Sequence, residues 1–214
     1  GKITFLKHIR IAFLEQEFAH DPEKDIFTQV MDSSKQFTEG LDDDGLFAYE
    51  LRVKKFITSF GLQADSLMKN LSGGEVKRVA LTVMLASEAD FFIMDEPTNH
   101  LDIDAIEFLE NYLGHSRSTL LMVTHDRYFL DHVCNTVMEL DHGAVYTYRG
   151  NYENYLEKRQ ERIDNYNSET AKVNNILRRE LEWIRSSPCA RTGKARYRIN
   201  AFYELKDRAE QVYT

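Results

Sequence analysis

From Asn151 to Arg185 the chain contains neither glycine nor proline, and no other feature narrows its possible folds as much. Leu156, Ile163, Thr170, Leu177 and Ile184 recur every seven residues through this stretch, joined by Tyr152, Tyr166 and Val173. The pattern predicts a single helix of about 34 residues, roughly 50 Å long at the usual rise per residue, with a coiled-coil-like seam. Ser186-Ser187-Pro188 stops it. A second helical pattern begins near Ala195, with Ile199, Phe202, Leu205, Ala209 and Val212 on one face. Two such faces joined by a short turn predict an antiparallel helical hairpin over residues 151–214.

The tip of that hairpin is basic. Residues 183–203 hold Arg185, Arg191, Lys194, Arg196 and Arg198 and no acidic residue. The whole chain has a formal charge of −8, and residues 1–151 carry 25 Asp and Glu against 14 Lys and Arg. A basic tip on an acidic body is what a polyanion ligand would select, with Arg191, Lys194 and Arg196 as the candidate contacts. Charge alone favours the plainer reading, a solvated basic turn. With 43% hydrophobic and 29% charged residues the composition is that of a soluble globular chain. No apolar run approaches the ~20 residues of a membrane span, and no export segment is expected. Cys134 and Cys189 are the only cysteines, which gives no zinc spacing and suits a reducing compartment.

Residues 1–150 alternate strand and helix patterns, the mark of an α/β fold. His8–Leu14 reads as a strand followed by Gln16 in a loop. Pro22 to about Asn70 reads as helices broken by the acidic run Asp42–Gly45. Ile26, Phe27, Val30 and Met31 share one helical face there, and Leu51, Phe56, Ile57 and Phe60 another. Gly74–Ser87 reads as a helix, with Val76, Val79, Ala80, Val83 and Met84 facing inward. Phe91–Met94 and Thr119–Val123 are short apolar strands of the kind buried in parallel sheets. Helices are expected at Ile103–Leu113 and Asp126–Val133, and Asp141-His142-Gly143 is a hairpin turn between Val137–Leu140 and Ala144–Tyr148.

Three short segments carry chemistry. Leu71-Ser72-Gly73-Gly74-Glu75 stands directly before a helix, where two glycines and the helix N-terminus can admit an anion, although such a string alone is more often a plain turn. Phe91–Met94 runs into Asp95-Glu96, two carboxylates at the end of a buried strand. In phosphoryl transfer the first can hold Mg²⁺ and the second can accept a proton from water. Asn99-His100-Leu101-Asp102 follows closely, and a second strand exits into Thr124-His125-Asp126.

Taken together these segments resemble the nucleotide-binding domain of ATP-binding-cassette proteins. They fall in family order: Gln16 at the Q-loop, Leu71–Glu75 as the signature, Asp95-Glu96 as Walker B, Asn99–Asp102 as the D-loop and His125 as the H-switch. Five elements in that order and spacing do not arise by chance. The run Glu96-Pro97-Thr98-Asn99-His100-Leu101-Asp102 and the later Gly150-Asn151-Tyr152-Glu153-Asn154-Tyr155-Leu156 resemble the ABC-F branch, whose members carry two cassettes joined by a helical linker and often act on the ribosome. Glu182–Arg185 and Ala190–Arg196 resemble the tip of that linker. The space between Gln16 and Leu71 has no room for an extended arm, which makes the Uup-like type the nearest resemblance.

The resemblance implies an α/β nucleotide-binding domain over residues 1–150, incomplete because the P-loop strand is missing, and a linker hairpin over 151–214. It also implies ATP and Mg²⁺ as cofactors. Glu96, His125 and Gln16 would be catalytic, and Asp95 and Gln16 would hold the metal. Leu71, Ser72, Gly73, Gly74 and Glu75, with Asn99, His100, Leu101 and Asp102, would bind nucleotide. Ser72, Gly73 and Gly74 would serve ATP held by a second cassette, and Asp95, Gln16, Glu96 and His125 the ATP of this cassette's own P-loop. No Walker A sequence is present. The only Gly-Lys pairs are Gly1-Lys2 and Gly193-Lys194, and the second has Pro188 and Ala195 where the motif needs Gly and Ser or Thr. The 214 residues alone are therefore expected to be inactive. Further expectations are a cytoplasmic location, contact with the ribosome or transfer RNA, and self-association through an unpaired sheet edge beside Thr119–Val123. A membrane-transporter ATPase subunit is one alternative, although such subunits do not usually carry a long basic-tipped hairpin. An SMC-type chromosome-maintenance ATPase is another, but its coil precedes the signature instead of following the H-switch.

Overall fold

A computed structural model describes residues 2, 4, 8–186 and 201–204 of the chain. The chain divides into two compact units, Gly1–Tyr152 and Glu153–Thr214.

The first unit is built on a parallel sheet of three strands. β1 (Ile11–Leu14), β2 (Phe91–Asp95) and β3 (Thr119–Val123) lie in the order β1-β2-β3. Ile11 pairs with Phe91, and Phe91 in turn with Thr119. The central strand contributes Phe92 and Met94 to the core, each 1% exposed. Parallel strands need helical crossovers, and two long stretches supply them. α1 (Ile26–Ser33), α2 (Lys35–Thr38), α3 (Asp43–Ser59) and α4 (Gly73–Ala86) lie between β1 and β2, and α5 (Ile103–His115) lies between β2 and β3. α6 (Arg127–Val133) follows β3, and β4 (Thr136–Asp141) and β5 (Ala144–Arg149) form a separate antiparallel hairpin.

α4 is the centre of the packing. Every residue from Val79 to Ala86 is buried, so this stretch is enclosed on all sides, as a helix in the middle of a domain must be. α3 meets α5 through edge-on rings: Phe60 against Phe108 with centroids 4.9 Å apart, and Phe56 against Tyr112 at 5.3 Å. Ile26 and Val30 of α1 are fully buried, with Phe27 and Met31 packed against the same core.

Several expectations need correction. The acidic run begins a helix where a break was expected: the Asp42 side chain caps α3 by accepting from Gly45 N–H at 2.9 Å. Asp43 and Asp44 then occupy the first turn, where negative charge suits the helix dipole. Leu51 is 50% exposed, because the buried face of α3 is set by Tyr49, Val53, Phe56 and Ile57. The first strand starts at Ile11, three residues later than expected, and His8 has a φ of +83°, which no strand residue adopts.

On its far side β3 has no strand neighbour among the described residues. A groove of about 760 Å³ runs along it, lined by Leu121, Val123, Val133, Cys134 and Val137 among others.

The second unit contains most of α7 (Tyr152–Ser186), 35 residues without a break. Ile163, Thr170, Val173 and Leu177 of the seam are half-buried, as expected. Leu156 is not: it is 44% exposed, and the half-buried stripe of the first turns runs instead through Tyr155 and Arg159. The described part of the second arm, residues 201–204, is helical, and Phe202 is 7% exposed. Arg191, Lys194 and Arg196 lie outside the described residues, as do Ile199 and Leu205.

Candidate functional site

The site is assembled where α4 begins and β2 ends. Ser72 caps α4 in a reciprocal box: its hydroxyl accepts from Glu75 N–H at 3.4 Å, and its own N–H and O–H donate to Glu75 Oε2 at 2.8 and 2.7 Å. Those two bonds hold the Glu75 carboxyl below its usual pKa. The two glycines between them differ in surroundings. A side chain on Gly73 would meet nothing within 4 Å, whereas a Cβ on Gly74 would overlap the main-chain carbonyl oxygen of His100. The glycine at 74 is what allows the segment after β2 to lie against the helix.

That segment turns sharply. Glu96 has a φ of +44° and His100 of +64°. Glu96 N–H donates to Val123 O at 2.8 Å, so the turn leaving β2 is tied to the end of β3. Its carboxylate, on a side chain only 15% exposed, accepts from His125 N–H at 3.3 Å and lies 3.4 Å from His125 Nε2. The histidine ring itself is almost fully exposed. Two residues expected to act together are thus in contact.

A cleft of about 290 Å³ is lined by Glu15, Gln16, Phe18, Gly73, Val76, Lys77, Asp95, Glu96, Asn99 and His100. Six of the expected site residues meet there: Gln16, Gly73, Asp95, Glu96, Asn99 and His100. Others have structural work. Asp102 caps α5, accepting from Ala105 N–H at 3.0 Å, and pairs with Arg78 Nη1 at 3.3 Å. Leu71 and Leu101 pack against the core.

Lys77 and Arg78 were missed by sequence reasoning. Gly73, Val76 and Lys77 occupy positions i, i+3 and i+4 of one helix and so share a face, a spacing that a signature read as five letters leaves out. Arg78 Nη1 donates to Phe60 O at 3.0 Å, joining the end of α3 to α4. Burial lowers the Lys77 pKa, and the Asp95 and Glu96 charges oppose that shift.

The oxygen donors suit Mg²⁺. Asp95 and Gln16 line one cleft and offer a carboxylate and an amide oxygen, the hard donors this ion takes. Among the described residues no group of three or more His, Cys, Asp or Glu side chains is placed to hold a metal by itself.

Two family models match, both described as ABC transporter, one over residues 3–99 and the other over 138–213. The chain is 38% identical over 189 residues to the energy-dependent translational throttle protein EttA of Mycobacterium tuberculosis, covering 88% of this chain and 34% of that protein. With the ATP-binding protein ChvD of Rhizobium radiobacter it shares 39% identity over 183 residues, 85% of this chain and 64% of the relative. The chain belongs to the ABC-F branch of the ATP-binding-cassette family. The ABC transporter ATP-binding protein YfmR of Bacillus subtilis is 49% identical over 140 residues, 65% of this chain and 22% of that protein. Among solved structures, an ATP-binding subunit of an ABC transporter superposes with a TM-score of 0.56 at 21% identity, over 64% of this chain and 59% of that one. That likeness shows the cassette fold. The chain spans about a third of the length of the EttA relative it matches.

Proposed function

We propose that these residues form part of an ATPase, in which the cleft between α4 and the end of β2 handles the phosphates and metal of ATP. The observation that supports this best is the contact of His125 with Glu96, two residues 29 apart in sequence brought together at adjacent strand ends. Mg²⁺ held by Asp95 and Gln16 would neutralise charge on the phosphate oxygens. Glu96, shielded from bulk water and held by two contacts to His125, would orient and deprotonate the attacking water. His125, almost fully exposed, would face the terminal phosphate. Ser72, Gly73 and Gly74 would serve a nucleotide bound on a second cassette of the full-length protein.

In this reading residues 1–150 are the nucleotide-binding unit and 151–214 the linker to that second cassette. EttA is by name a translational throttle protein, and the basic segment around Arg191, Lys194 and Arg196 suits a ribosomal or transfer RNA partner in the cytoplasm. No helix among the described residues is long and apolar enough to cross a membrane. The edge of β3 that has no strand neighbour among the described residues is where a P-loop strand would add in the full-length protein, and where the 214 residues alone would associate with a second copy. By the same reading those residues alone do not turn over ATP.

The test is Glu96→Gln in the full-length protein. Hydrolysis should fall by about 10²-fold or more, the scale of a lost general base, while ATP binding persists. Equal turnover by variant and wild type would remove Glu96 from the chemistry.

A further inference from the structure

We propose that Lys77 is a positioning residue for the metal and phosphate site, a resident cation that α4 holds against the carboxylate end of β2. The inference rests on the ATPase reading and adds to it a group outside the signature, Walker B, D-loop and H-switch. Lys77 is one turn beyond Gly73 on the same face of α4, and both line the cleft that contains Asp95 and Glu96. Its ammonium group donates to the Asp95 main-chain oxygen at 3.4 Å, across 18 residues of sequence. The side chain is half-buried, so its charge is less screened than that of a surface lysine. The cleft that Lys77 lines also presents Glu15, Gln16, Asp95, Glu96, Asn99 and His100.

A positive charge in this position has opposite effects on the two things the site must bind. It balances the carboxylates while the site is empty, and so disfavours a divalent cation. It also attracts the polyphosphate that arrives with the cation. Lys77 would thereby favour entry of metal together with nucleotide over entry of metal alone. Because α4 also begins with the Ser72–Gly74 segment, a shift of that helix would move the charge relative to Asp95 and couple the two nucleotide positions.

The experiment measures two equilibria on the full-length protein at low salt. Mn²⁺ binding without nucleotide is followed by electron paramagnetic resonance, and binding of a fluorescent ATP analogue is followed in excess EDTA. Lys77→Met should tighten Mn²⁺ about tenfold or more, since removing one like charge close to a divalent ion is worth about that much even at the screening of bulk water. The same variant should weaken metal-free ATP binding severalfold, and Lys77→Arg should match wild type in both. A merely structural lysine would move both affinities in one direction, or restore neither with arginine. Either result overturns the proposal, as does an unchanged Met variant. If Lys77→Met does not fold, Lys77→Gln replaces it under the same criteria. Wild type that binds neither Mn²⁺ nor ATP would refute the ATPase reading itself, a result distinct from wild type that binds both and variants that do not differ.

Discussion

Two adjacent glycines at the start of α4 should respond in opposite directions to the same added methyl group. Gly73→Ala places a Cβ in open space, where nothing lies within 4 Å. Alanine in the first turn of a helix reduces the freedom of the unfolded chain, which should stabilise by about 0.4–1 kcal/mol. Gly74→Ala has the same entropic gain but drives its Cβ into the His100 carbonyl oxygen. That atom is main chain, in a turn where His100 already holds a φ of +64°, and it cannot swing aside as a side chain would. Overpacking of this kind costs about 1–3 kcal/mol. The two variants should therefore differ by about 2 kcal/mol, or roughly 4–8 °C in Tm for a domain of this size. Thermal unfolding of the full-length protein reads the difference, and hydrogen exchange across residues 97–102 locates it. Faster exchange there in Gly74→Ala, and not in Gly73→Ala, is the expected pattern. Equal melting temperatures and equal exchange would show that the turn is not braced on the helix.

Arg78→Ala should destabilise by about 2–3 kcal/mol, because a mostly buried guanidinium leaves the Phe60 carbonyl and Asp102 behind. Asp102→Asn should cost less, since that carboxylate is half-exposed and screened, and urea midpoints compare the two. Lys24 and Lys35 hydrogen-bond Asp32 and hold its pKa down to about 2 from an ordinary 3.8. A lowered folded-state pKa gives stability that is present above the unfolded value and lost as pH falls towards 2. Acid titration of Asp32→Asn should accordingly lack that component between about pH 4 and 2. Replacing Arg191, Lys194 and Arg196 by Ala should flatten the salt dependence of ribosome co-sedimentation by roughly 2–3 log units per log unit of salt, just under one per phosphate contact. Identical sedimentation of triple variant and wild type at two salt concentrations would mean that this segment is only a solvated turn.

The fold was most legible where one physical signal acted alone. β3 coincides with its apolar run, and α7 with the stretch free of glycine and proline, because neither stretch offers a competing turn signal. Where two signals competed, the reading went astray. Asp42–Asp44 next to Gly45 looks like a break, yet aspartate is also a favoured helix cap, and the long α3 that follows decided in favour of the cap. Leu51 and Leu156 are apolar and correctly spaced, but periodicity identifies a stripe without identifying which of two adjacent stripes finds a partner. At the site, motif order named Asp95, Glu96 and His125, since each leaves a strand whose apolar run is plain. Lys77 and Arg78 were hidden because a lysine and an arginine on a helix look solvated until the elements opposite are known.

The capping of α4 bears on how its first turn can be used. Ser72 and Glu75 satisfy one another, so the helix start is stable with no ligand present, and its Glu75 carboxylate stays ionised to a lower pH than usual. An anion approaching this end meets a carboxylate already bonded to the Ser72 amide and hydroxyl. The amides of Gly73 and Gly74 belong to the first turn, where helix geometry provides no intrahelical acceptor. Gly73 is the more open of the two, for the His100 carbonyl lies close against the Cα of Gly74. The first turn is therefore fixed in shape before any nucleotide arrives and is set against the same segment that follows Asp95 and Glu96. A movement of the residue 97–102 turn must move α4 or separate from it, and in the proposed ATPase that contact, more than the flexibility of a glycine pair, would carry an event at the carboxylates to the Ser72–Gly74 segment.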